Sequence, residues 1–123
     1  GENNRLMGTV ESIDGDKATV KTDSGDIVVA SKINVNKAGE RATLSLRPER
    51  IMVSPSKGKT PNTYSAKVEE LIYHGDHIRT RFNVCGHDDF IVKIPNSIGN
   101  VSLKEGKEVN IGWMSEDCLA LDG

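Results

Sequence analysis

Hydrophobic and polar residues alternate in short runs along most of this chain, and glycine-containing turns separate the runs. Residues 6–13, 18–22 and 78–83 each alternate with a period of two, and Gly-Asp or Ser-Gly pairs interrupt the series. Such alternation, rich in β-branched residues, is typical of half-buried strands joined as hairpins. Short helical turns are expected only near residues 31–36 and 115–118. The pattern therefore predicts an all-β chain.

The series of strands and turns occurs twice. The first copy covers about residues 5–53 and the second about 64–121, and a polar linker at 54–63 separates them. Glu49 and Glu116 stand at the same distance from a turn glycine in their respective copies. A repeat of this length is typical of duplicated small β-barrels or sandwiches. The return strand of the second copy is expected to be lengthened by a loop at residues 95–100.

Composition is consistent with a folded domain and limits its partners. The 123 residues fit one compact domain or two small subdomains that share a core. A net charge of −2 argues against non-specific binding to nucleic acid, because that affinity comes mainly from neutralised phosphates. No apolar stretch approaches the length of a membrane span, and no signal-peptide pattern opens the chain. The two cysteines lack a CxxC spacing, so we expect reduced thiols.

Two fragments resemble chemical motifs but favour other interpretations. Gly58-Lys59-Thr60 matches the end of a phosphate-binding loop, but Val53 stands where that motif needs glycine, so the fragment is interpreted as linker. His74, His77 and His87, with Cys85, could supply metal ligands only if two hairpins converged. We favour exposed hairpin histidines instead.

No arrangement of residues predicts catalysis. The carboxylates of Glu69 and Glu70 are adjacent in a predicted strand, as are those of Asp88 and Asp89. Neighbouring strand residues point to opposite faces of a sheet, so neither pair can act on one bond as acid and base. Catalytic, cofactor-binding and metal-binding residues are all expected to be absent.

The segment Arg47-Pro48-Glu49-Arg50 follows a predicted strand and is more informative. Proline cannot donate to a strand ladder and fixes the direction in which the chain leaves it. Arg47 and Glu49 can then pair with each other or with a neighbouring segment. The segment is therefore predicted to be a structural corner between the copies or a contact with another chain.

At these residues the chain resembles a known family, the transport-associated OB domain at the C-terminus of ABC-importer ATPases. Four segments carry the resemblance in order, and together they span nearly the whole chain. They are the opening GENN with the later GTV, LRPERI at 46–51, VEELIYHGD at 68–76 and GWMSEDCLAL at 112–121. The last segment is most similar to spermidine/putrescine-type ATPases. His74 departs from the family pattern, where leucine is usual.

The resemblance implies one C-terminal domain over residues 1–123, folded as tandem OB-like barrels, with a regulatory and dimerisation role in a polyamine or similar importer. It implies no enzyme activity for this portion, with ATP and magnesium held by an N-terminal domain that the sequence does not include. The implied partners are the equivalent domain of a second copy, membrane permease subunits and a solute-binding protein, but no nucleic acid. The implied location is peripheral, at the cytoplasmic face of the inner membrane. The candidate structural or interface residues are Arg47, Pro48, Glu49, His74, Gly75 and Asp76.

Two other functions stay open. Related duplicated barrels bind oxyanions at their interfaces, and Lys93, Arg79 and Arg81 are the cations available for such a sensor. An OB module that binds single-stranded nucleic acid would stack bases on aromatic side chains along a basic groove. Five aromatic residues and a negative net charge argue against that second alternative.

Overall fold

The computed structural model describes residues 2–96 and 102–123, which form ten strands and two short 3₁₀ turns. The strands are β1 (Asn4–Asp14), β2 (Lys17–Thr22), β3 (Ile27–Lys32), β4 (Arg41–Leu46), β5 (Met52–Val53), β6 (Asn62–Tyr73), β7 (His77–Val84), β8 (His87–Pro95), β9 (Glu108–Trp113) and β10 (Cys118–Asp122). The 3₁₀ turns are Pro48–Arg50, between β4 and β5, and Ser115–Asp117, between β9 and β10. The helical turn expected near 115–118 is confirmed. The one expected near 31–36 is wrong, because β3 continues to Lys32 and bends follow it.

The strands form two units related by the sequence repeat. The first is a closed barrel with the order β1-β2-β3-β10-β4, and the second is a five-stranded sheet with the order β5-β9-β6-β7-β8, curled into a half-barrel. The prediction of an all-β chain with tandem OB-like units is confirmed. The fifth strand of each repeat pairs in the other unit, so β10 completes the first barrel and β5 joins the second sheet. Neither unit is complete without the other half of the chain.

The repeat extends to individual backbone hydrogen bonds. The first strand of each unit has a bulge, after Val10 in β1 and after Val68 in β6. At each bulge the carbonyl accepts a 2.8 Å hydrogen bond from a turn glycine, Gly39 to Val10 and Gly106 to Val68. Both glycines have positive φ, 93° and 85°, where a side chain would be strained. Glycine at these turns therefore fixes the bend of each long strand.

One continuous core lies across both units. Its largest side chain is Trp113, which is fully buried at the end of β9. The Trp113 ring lies 5.1 Å from that of Tyr64 and 5.8 Å from that of Phe90, measured between ring centroids. Such aromatic contacts add about 0.5–1.5 kcal/mol beyond area burial. With β5 and β10 exchanged, this core makes the two units one folded body.

Two buried asparagines connect the units in equivalent ways. Asn4 begins β1, and its side chain donates to the carbonyl of Ile91 (2.7 Å) and accepts from the Ile91 N–H (2.8 Å). Asn62 begins β6 and makes the same pair of bonds to Val29, at 2.9 and 2.8 Å. Each amide thus substitutes for a neighbouring strand at one backbone position. Because each clamp joins the start of one unit to the third strand of the other, both hold the two units in register.

Candidate functional site

The Arg47–Glu49 corner lies where β4 ends and the chain crosses to the second unit. Arg47 is extended (φ −77°, ψ 138°), and the following Pro48 is buried at the start of the 3₁₀ turn. The turn closes through the Arg50 N–H, which donates to the Arg47 carbonyl at 3.1 Å. Arg47 and Glu49 are exposed, and within residues 2–96 and 102–123 neither side chain forms a salt bridge. The predicted corner is therefore present, with two charged side chains directed to solvent.

In the first barrel, the seam between β10 and β3 is closed by hydrogen bonds. The strands run parallel, and the Ile33 N–H donates to the Ala120 carbonyl at 3.1 Å. Beyond this, Asn34 and Asp122 form two more bonds. The Asp122 N–H donates to the Asn34 side-chain oxygen (2.7 Å), and the Asn34 amide donates to the Asp122 carboxylate (3.0 Å). Two backbone N–H groups therefore lock this seam.

The equivalent seam of the second unit, between β5 and β8, is open. When the two units are aligned by their strand pairings, Pro95 is equivalent to Ile33 and Pro55 is equivalent to Asp122. Proline therefore occupies both positions whose backbone N–H groups close the seam of the first barrel. Proline has no N–H to donate. Ser54, with a φ of 51°, also turns the chain away directly after β5. The two prolines and the turn at Ser54 therefore leave this seam without strand pairing.

A cavity of about 290 Å³ occupies this open seam. Apolar and charged residues both line it. The apolar residues are Ile51, Met52, Val53, Ile94 and Pro95, and the charged residues are Glu49, Arg50, Lys93 and Asp117. A second cavity of about 280 Å³ shares Glu49 and Lys93 with the first and reaches Arg47. The corner and the seam therefore form one continuous concave surface.

The three cations considered for oxyanion binding do not converge. Arg79 forms two hydrogen bonds to the Glu2 carboxylate (3.1 and 2.5 Å), and these bonds hold the pKa of that carboxyl below its usual range. Arg81 donates to the carbonyl of Asp88 at 2.7 Å. Of the three, Lys93 lines both cavities, together with Arg50 in the first and Arg47 in the second.

The predicted residues His74, Gly75 and Asp76 form the turn between β6 and β7. The His74 ring stacks on that of His77 with centroids 4.7 Å apart. The Asp76 carboxylate is 2.7 Å from Nδ1 of His77, and this hydrogen bond lowers the pKa of Asp76. In the described part of the chain, no three histidine, cysteine, aspartate or glutamate residues are placed to hold a metal ion. An interface role for this turn and for the Arg47–Glu49 corner stays a prediction.

Both cysteines are buried and unpaired with each other. Burial raises the pKa of each thiol, Cys85 and Cys118, to about 12. A thiol with so high a pKa carries almost no thiolate at neutral pH, and the thiolate is the reactive form. These side chains therefore act as packing groups.

Comparison with known proteins assigns the chain to a family. The sequence signature of the TOBE domain matches residues 44–121, which is more than half of the chain. The chain belongs to the TOBE domain family. The match to this TOBE domain starts inside β4, includes the corner and ends in β10.

Curated relatives of this TOBE domain are spermidine/putrescine import ATP-binding proteins named PotA. The protein of Rubrobacter xylanophilus is 27% identical over 100% of this chain, and that of Trichodesmium erythraeum is 29% identical over 98%. The protein of Roseobacter denitrificans is 32% identical over 89% of the chain. The matched regions make up 32%, 33% and 30% of these relatives. This chain thus spans about a third of the length of these relatives.

A solved structure with the same fold is the cytoplasmic molybdate-binding protein ModG with molybdate bound. It superimposes with a TM-score of 0.84 and covers 98% of this chain and 96% of its own. Sequence identity is 14%, so this similarity shows the fold alone.

In the described residues of the TOBE domain, no helix is long and apolar enough to cross a membrane.

Sequence reasoning missed the open seam, although a signal for it was present. In an alignment of the two copies, Pro55 and Pro95 are equivalent to the two residues whose backbone N–H groups close the seam of the first barrel. Two prolines at equivalent closing positions indicate an unpaired edge. The asparagine clamps gave no such signal, because their partners lie 33 and 87 residues away.

Proposed function

We propose that this TOBE domain is the C-terminal regulatory and dimerisation domain of the ATP-binding subunit of an ABC importer for polyamines or a similar small solute. The observation that carries the proposal is the coverage of the relatives. Named ATP-binding import proteins match nearly the whole chain, while the chain accounts for about a third of each of them. In this proposal ATP and magnesium are held by the remaining two thirds, and this domain performs no chemistry.

The physical role is that of a persistent contact. ATP-binding subunits that separate between cycles keep a high effective concentration of their catalytic halves if a second contact tethers them. Two copies of one domain can provide that contact through a two-fold interface. The exposed corner around Arg47 and Glu49 and the turn at His74–Asp76 are the proposed interface surfaces. Membrane permease subunits and a solute-binding protein would complete the transporter at the cytoplasmic face of the inner membrane.

The proposal is tested on the full-length gene product. We expect the coding sequence upstream of Gly1 to contain a phosphate-binding loop between a strand and a helix. We expect the purified protein to hydrolyse ATP and to sediment as a dimer, and a version that ends before Gly1 to sediment as a monomer while keeping its nucleotide affinity. An upstream sequence without an ATP-binding domain would overturn the proposal. Unchanged dimerisation after truncation would overturn the dimerisation role.

A second candidate is a small-ligand site at the open seam. The observation that favours it is the cavity reaching Arg47 and Lys93, two cations without a salt bridge among the described residues. ModG, which shares the fold, binds molybdate. Glu2 and Glu49 line the same cavity and oppose an anion, so we rank this function second.

Calorimetric titration separates the two candidates. A sensor would bind molybdate, sulfate or spermidine, and replacing Lys93 with alanine would change the affinity. Lys21, an exposed residue of β2 outside the cavities around the seam, provides the matched control substitution. Absence of heat with all three ligands at two temperatures would exclude them as ligands of the seam, because a binding enthalpy that is zero at one temperature changes with temperature.

A further inference from the structure

The hairpin formed by β6 and β7 extends further than its counterpart in the first unit. In the first hairpin the last pair is Asp14 with Lys17. The register places Ile72 and Arg79 at the equivalent positions, and Tyr73 pairs with Ile78 beyond them. Ile72 thus places an exposed apolar side chain where the first hairpin carries Asp14. Tyr73 is 69% exposed and Ile72 is 39% exposed.

The extended tip is held in one conformation. The Asn96 side chain at the end of β8 donates to the Gly75 carbonyl at 2.9 Å, and its backbone N–H donates to the Asp76 carbonyl at 3.1 Å. The His74 N–H closes the turn by donating to the His77 carbonyl at 2.8 Å. A surface that is already ordered loses little conformational freedom when it binds.

The start of the described chain lies on the same sheet face as Ile72, whereas Tyr73, the next residue of β6, points to the opposite face. Glu2 is held by its two hydrogen bonds to Arg79, and Arg79 is directly opposite Ile72 across β6 and β7. Side chains of directly opposite residues lie on one face, with β-carbons about 5 Å apart. Any domain that precedes Glu2 in a longer protein therefore approaches the module beside Ile72.

We propose that the sheet face around Ile72, near the end of the β6–β7 hairpin, is the docking surface for the ATP-binding domain that precedes this module. The inference rests on the proposed function, which supplies that domain as about two thirds of the protein. The hairpin tip then couples movement of the ATP-binding domain to the module through the rigid β6–β7 pair. The Glu2–Arg79 ion pair fixes the point where the two domains meet.

The test is site-specific photocrosslinking in the full-length protein. A photoreactive phenylalanine analogue replaces Ile72 in one variant and Asp14, the exposed residue at the equivalent position of the shorter hairpin, in the matched control. We expect several-fold more crosslinked product from position 72 than from position 14, with the attachment mapped by mass spectrometry to the ATP-binding domain of either subunit. Equal yields from both positions, or attachment only to the equivalent module of a second copy, would overturn the inference.

ATP hydrolysis by the same preparation separates this inference from the proposed function. A full-length protein that hydrolyses ATP but gives no crosslink from position 72 contradicts the docking surface and leaves the proposed function intact. A gene product without an ATP-binding domain contradicts both. Because Ile72 is exposed, the analogue is not expected to disturb folding, and Trp113 fluorescence checks this.

Discussion

Replacing Asn62 with alanine tests the idea that buried amide clamps hold the two units together. Asn62 is 1% exposed, and it both donates to and accepts from the backbone of Val29, at 2.9 and 2.8 Å. The substitution removes these two hydrogen bonds, each with a net value of about 1 kcal/mol, and a longer one from the Asn62 amide to the Trp113 carbonyl at 3.4 Å. It also leaves the partly buried N–H and carbonyl of Val29 without these partners, which costs roughly 1 kcal/mol or more. We therefore expect the free energy of unfolding to fall by about 3 kcal/mol.

The assay is urea unfolding at 25 °C, followed by the fluorescence of Trp113, the chain's single tryptophan, which is fully buried in the core shared by both units. Replacing Asn34 with alanine is the matched control, because Asn34 also forms two hydrogen bonds but lies at the exposed seam of the first barrel. Water can replace those exposed bonds, so we expect a loss below about 1 kcal/mol for the control. If the Asn62 variant loses no more stability than the Asn34 variant, the clamp argument is wrong.

Three further outcomes are expected. Gly112→Ala should lower the free energy of unfolding by about 1–3 kcal/mol in the same urea assay. The reason is that an added β-carbon would lie 2.6 Å from a backbone carbonyl oxygen of β6. A variant as stable as the wild type would contradict this close packing. Burial raises the pKa of both thiols, Cys85 and Cys118, to about 12. Both should therefore resist a thiol reagent at pH 8 in the native protein and react fully in urea. Rapid labelling of the native protein would show instead that the thiols are accessible. Glu2→Gln should cost less than about 1 kcal/mol. Since the Arg79 hydrogen bonds lower the folded-state pKa of Glu2, this cost should be fully present above the ordinary carboxyl value of 4.5 and be lost as the pH falls from there through the lowered folded-state pKa. A cost that does not decrease as the pH is lowered would exclude the ion pair as its cause.

The secondary structure and the repeat could be predicted because their signals are local. Period-two alternation and the turn glycines, such as Gly39 and Gly106, act over a few residues, and the structure places strands and positive-φ turns there. The corner at Arg47–Glu49 was predicted for the same reason, since Pro48 fixes the exit of its own strand. The bend after β3 was mistaken for a helical turn because polar residues near 31–36 are compatible with both.

The candidate site depends on contacts that no local pattern specifies. The exchange of β5 and β10 joins residues far apart in the chain, as in the pairing of Leu119 with Ser31. The open seam follows from this exchange, because only after β5 lies beside β8 does the missing N–H of Pro95 leave an edge unpaired. The cavity and the charged residues that line it are therefore properties of the assembled fold.

By itself, the sequence determined the strand content, the duplication, the turn positions and the membership of the family, because these depend on residue type and spacing along the chain. Tertiary structure decided which strand closes which unit, which charged side chains share a cavity, and that the two units have one core. The physical reason is that strand pairing and burial are set by the free energy of the whole chain, in which distant edges compete for the same partners. Local preference limits those partners but does not choose among them.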